Sequence, residues 1–173
     1  MATNKKMVTA AFRRRFDAEA AHDWLRDRGY TSKDINVLMS DATRKSLHDE
    51  DDDHAAGSMA AEGVATGGAI GTAVGATLAA IAAIGTTIAL PGLGIVLAGP
   101  IVAALAGGGA GAVAGGIVGG LVGFGIPESN AKAYEAVLRD GGIVIGVVPK
   151  NSEDASTIKD HFKELHGENV VST

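Results

Sequence analysis

Residues 127 to 148 read PESNAKAYEAVLRDGGIVIGVV. Pro127 suits a first helical position, because the amide it lacks is one that a helix start leaves unbonded anyway. Ala131, Tyr134, Val137 and Leu138 then recur at helical spacing, and Gly141 and Gly142 end the helix. The run IVIGVV at 143 to 148 is apolar without interruption, so it has no polar face to turn to water. It predicts a strand covered on both sides. Helix, glycine pair and buried strand, in that order, put a sheet at the centre of the chain.

Toward the C-terminus, Ser152 is placed to cap a helix whose acidic first turn, Glu153 and Asp154, suits the helix dipole. Ala155, Ile158, Phe162 and Leu165 form its buried stripe, Gly167 closes it, and Val170 and Val171 make a last strand. Toward the N-terminus, Val8 to Phe12 reads as a strand. Asp17 is the predicted cap of a helix over about 18 to 28, with Ala21, Trp24 and Leu25 inward and Gly29 at its end. Residues 35 to 39, INVLM, give the next strand. The chain therefore reads β-α-β, a long insertion ending in a helix, then β-α-β. That pattern predicts an α+β, ferredoxin-like sandwich with an antiparallel sheet and an insertion between strands two and three. A flavodoxin-like parallel sheet is the competing arrangement. The split α/β domain takes residues 1–45 and 128–173; an acidic linker covers 46–62, within polar text running from Asp41 to Glu62.

The insertion is the unusual part. From Gly63 to Pro127 no residue is charged, and this block holds 19 of the 25 glycines. Small residues recur every fourth position in two ladders: Gly63, Gly67, Gly71, Gly75, Ala79 and Ala83, then Ala103, Gly107, Gly111, Gly115, Gly119 and Gly123. Residues four apart share a helix face, so each ladder clears a stripe along which another backbone can approach. Pro91 and Pro100 bracket a connecting tip and forbid one continuous helix. Two arms are expected, about 63 to 90 and 101 to 126, roughly 42 and 39 Å long if wholly helical. Ten glycines between 101 and 125 cost the second arm about 10 kcal/mol of helix propensity relative to alanine. Such a helix does not stand alone in water. Either a bilayer or tight packing against other copies must shelter it. Length and lack of charge favour the bilayer; the missing Trp and Tyr belt and the nearby acidic run His48 to His54 oppose it. A plain flexible linker would not interleave Ile70, Val74, Leu78 and Ile81 at helical spacing.

Chemistry is sparse by comparison. With 15 basic and 20 acidic residues and a net charge of −5, no nucleic-acid-binding face is expected. The absence of cysteine excludes disulfides and thiolate catalysis and fits a cytoplasmic chain. The run HDEDDDH, His48 to His54, matches neither an EF-hand loop nor a zinc motif and reads as a solvated linker, with weak Ca²⁺ or Mg²⁺ binding as the alternative. Arg13, Arg14 and Arg15 read as an exposed basic run with phosphate contact as the alternative, and His161 and His166 as surface residues. No lysine follows a glycine within the block, which removes a phosphate-binding loop. No catalytic, cofactor or metal site is expected.

Three stretches carry a family likeness: VTAAFRRRFDAEAAHDWLRDRGYTSKDINVLMSD, the glycine-rich middle, and GFGIPESNAKAYEAVLRDGGIVIGVVP. The chain resembles the bacterial general-stress and low-temperature-induced proteins, also described as heat-induced stress proteins. The likeness is most specific at the GIPE junction. It implies a stress-linked, non-catalytic protein with a glycine-zipper segment, and it supplies no catalytic residues. The expectation is a homo-oligomer on the cytoplasmic side of the cell membrane, its hairpin associating with the bilayer. The alternatives are a soluble homo-oligomer with the hairpins buried in a shared core, or a small-ligand-sensing α/β module.

Overall fold

The computed structural model describes residues 7–46, 88–90, 95–99, 116–123 and 125–173. Six strands form one sheet: β1 (Val8–Phe12), β2 (Ile35–Ser40), β3 (Ile88–Leu90), β4 (Ile95–Ala98), β5 (Ile143–Val147) and β6 (Glu168–Ser172). Their order across the sheet is β3-β4-β2-β5-β1-β6, and every paired neighbour is antiparallel. The helices are α1 (Arg15–Asp27), α2 (Gly116–Gly123), α3 (Glu128–Arg139) and α4 (Ser152–Glu164). Residues 41–46 are helical as well, where the sequence reads as the start of a polar linker.

The four strands expected from the sequence lie in the order β2-β5-β1-β6, with βαβ units at both ends of the chain. This is an α+β fold whose topology is compatible with the ferredoxin-like arrangement, and the antiparallel registers Val37↔Ile145 and Ala10↔Ile145 dispose of the parallel alternative. Both faces of the sheet are covered. On one, Val8, Ala10, Phe12, Val37, Met39, Ile143 and Ile145 meet Ala18, Ala21 and Leu25 of α1 and Ile158 and Phe162 of α4. On the other, Ala11, Leu38 and Val144 meet Ile117 and Leu121 of α2 and Ala131, Tyr134, Val137 and Leu138 of α3. Alternate residues of each strand point to opposite faces, so β1 and β5 bury all of their residues. The unbroken apolar text of IVIGVV has its cause in this third layer.

Several boundaries differ from the sequence expectation. The N-cap of α1 is Arg14, and Asp17 is a buried first-turn residue held at 2.7 and 2.9 Å by the Arg14 guanidinium. Asn151, not Ser152, caps α4, its side chain accepting from the Asp154 amide at 2.8 Å. Helices α2 and α3 are separated by a turn. The Gly125 amide bonds the Val122 carbonyl, the Ile126 amide bonds the Leu121 carbonyl, and Gly125 turns the chain at φ +86° before Pro127. At the far end of α3, Gly141 supplies the left-handed turn at φ +88°, and an added Cβ at Gly142 would stand 2.4 Å from Val137 and 2.8 Å from the Phe12 carbonyl. The glycine pair thus serves conformation first and space second.

The largest correction concerns the connecting tip. Residues 88–90 and 95–98, expected at the end of the first helical arm and in the tip, are strands, and β4 pairs with the outer edge of β2 in the register Val37↔Ala98 to Ser40↔Ile95. Short apolar runs on either side of Pro91-Gly92-Leu93-Gly94 satisfy their backbone groups by extending an existing sheet edge.

Candidate functional site

Of the residues nominated for assembly, Gly119 and Gly123 fall on α2; Gly63, Gly67, Gly71, Gly75, Gly107, Gly111, Gly115 and the tip residues Pro91 and Pro100 lie outside the described residues. Helix α2 has two unlike edges. Ile117, Gly120 and Leu121 are buried against α3 and the sheet. Gly119 is half-buried, Val122 keeps 41% of its surface exposed, and Gly123 is exposed, with nothing among the described residues within 4 Å of a Cβ added there. Intrachain packing among the described residues therefore gives no reason for glycine at 123.

The basic run is spent inside the domain. Arg13 spans to Asp140 at 3.1 Å and Glu168 at 2.9 Å, Arg14 holds Asp17, and Arg15 holds Glu19 at 2.6 Å. The Arg13 pairs tie the β1–α1 junction to the end of α3 and the start of β6, the other two are local to the first turns of α1, and together they compete with the phosphate-contact alternative for all three arginines. His166 is exposed and reaches the Arg14 guanidinium at 3.2 Å. His161 is less open than the sequence suggests: its ring stacks on Trp24 with centroids 4.1 Å apart.

Around that stack, α1 and α4 share a polar and aromatic seam. Arg28 sits 4.6 Å over the Trp24 ring and 3.7 Å from the Asp154 carboxylate. Lys150 lies 4.6 Å over the Tyr30 ring and donates to the Arg28 carbonyl at 2.9 Å. The Tyr30 hydroxyl donates to Asp154; burial first, and that bond second, push its pKa up to about 12. Beside the seam, Asp34, Val148, Pro149, Lys150, Asn151, Ser152 and Ala155 line an open cleft of about 420 Å³ at the start of α4.

On the opposite face, Tyr134 is fully buried beneath β1 and β6. Its hydroxyl meets the Asn169 carbonyl at 2.5 Å, the Thr9 carbonyl at 3.2 Å and the Thr9 hydroxyl at 3.0 Å. Burial raises its pKa to about 12. The β1–β6 register slips between Thr9↔Val171 and Ala11↔Glu168, so β6 carries an extra residue, and Asn169 takes φ +52°. Tyr134 supplies the donor that this bulge requires. The sequence marks Tyr134 only as an apolar-face residue; an aromatic hydroxyl on a buried stripe was the available signal that it needs a partner.

Among the described residues no three His, Asp or Glu side chains gather to hold a metal ion, and no helix is long and apolar enough to cross a membrane. The acidic run His48 to His54 lies outside the described residues. Comparison with protein-family models, with curated proteins and with solved structures finds no match.

Proposed function

We propose that this chain is a non-enzymatic, stress-linked assembly protein. A ferredoxin-like domain carries an inserted glycine-zipper segment, residues 63–127, through which copies associate with one another and with the inner face of the cell membrane. The stress link rests on the resemblance of residues 8–41 and 123–149 to general-stress proteins. The observation that carries the assembly reading is the split character of α2, which seats Ile117 and Leu121 in its own core and turns Gly123 and Val122 away from it. Small residues on an outward helix edge permit close approach of a second backbone.

The docked strands bear on how an apolar surface would be met. Residues 100 to 115 join β4 to α2, and both ends are packed on the same sheet. Sixteen helical residues reach about 24 Å, less than one crossing of a hydrocarbon core about 30 Å thick, and a return would be needed as well. This favours lodging at the bilayer surface, or the soluble homo-oligomer with a shared apolar core, over a spanning hairpin whose tip lies at 91–100. Ultracentrifugation without detergent, followed by flotation with anionic vesicles, tests the proposal. Vesicle-bound oligomers are expected. A soluble oligomer that ignores vesicles overturns the membrane half, and a soluble monomer overturns the whole. Changing Gly111 and Gly115 together to Leu is expected to disperse the assembly by overpacking.

A further inference from the structure

We draw no further inference here: the strongest candidate, the open cleft at the start of α4 between Asp34, Val148 and Lys150, rests on a helix N-terminus alone, with Glu153 and Asp154 in its first turn opposing an anion, Lys150 committed to the Arg28 carbonyl, and no unpartnered buried polar group pointing into it.

Discussion

Tyr134 brings one proton to a place where two carbonyls and a hydroxyl converge. The nearest acceptor, the Asn169 carbonyl, takes it, while the Thr9 hydroxyl can donate in return. Tyr134→Phe keeps the ring in the core and removes the donor from the bulge. A loss of about 1–2 kcal/mol is expected in urea denaturation, because a bulge carbonyl is left without its partner. Amides of β6 should also exchange faster; unchanged stability and exchange would show that water serves the carbonyl equally well. His22 sets a second expectation. It is 1% exposed, and burial lowers its pKa from the ordinary 6.5 more strongly than the Asp23 hydrogen bond raises it. The folded state therefore holds the neutral ring while the unfolded chain takes up a proton. Stability should be fully present above about pH 6.5 and fall as the pH drops through that value toward the lower folded-state pKa. Urea midpoints between about pH 5 and about pH 7.5 measure this, and His22→Gln should flatten the profile. A wild-type profile already flat in that window would contradict it.

At the scale of elements, what the sequence reveals depends on how strongly each segment repeats. Strands β1 and β5 stand where short apolar runs put them, and the stripe Ala155, Ile158, Phe162 where a period of 3.6 does. The caps slip by a residue or more for a physical reason. Asn151 and Ser152 are both good caps, and only backbone geometry selects between them; Asp17 is claimed by the neighbouring Arg14. Strands β3 and β4 were hidden because a ladder of small residues every four positions outweighs a three- and a four-residue apolar run, although Pro-Gly-Leu-Gly between those runs is a turn signal. The outward edge of α2 was half legible: the ladder predicts a packing face, but only tertiary structure tells which neighbour Ile117 and Leu121 choose. Gly99 explains how the added strands stay in place. It leaves β4 at φ +106°, and a Cβ there would lie 2.4 Å from the Ile35 carbonyl and 2.9 Å from the Asn36 Cα. Gly99→Ala is expected to cost about 1–3 kcal/mol through strain at a position fit only for glycine. Hydrogen exchange should show Val96 to Ala98 released while β1 and β5 remain protected; protection of β4 equal to the wild type would mean that the edge accommodates the methyl.

For the whole molecule, helices cover both faces of the sheet at β1, β2 and β5, so these central strands offer no bare face on which copies could stack. At these strands the proposed association would have to use helix surfaces or sheet edges. The β6 edge is a poor candidate, since its bulge and the left-handed Asn169 interrupt the ladder that another strand would need. The edge of α2 differs: it is uncharged, and its last ladder residue faces open space among the described residues. Gly123→Leu exploits this difference. Within one chain a Cβ at 123 has no described neighbour within 4 Å, and leucine favours helix over glycine by about 1 kcal/mol. The thermal midpoint of the domain should hold or rise slightly. If the ladder lies against a second copy, the same leucine fills the space that the partner backbone occupies, and sedimentation should report a smaller particle. An unchanged particle together with an unchanged midpoint would remove the α2 edge from the interface and leave self-association to the glycines at 63–75 and 107–115.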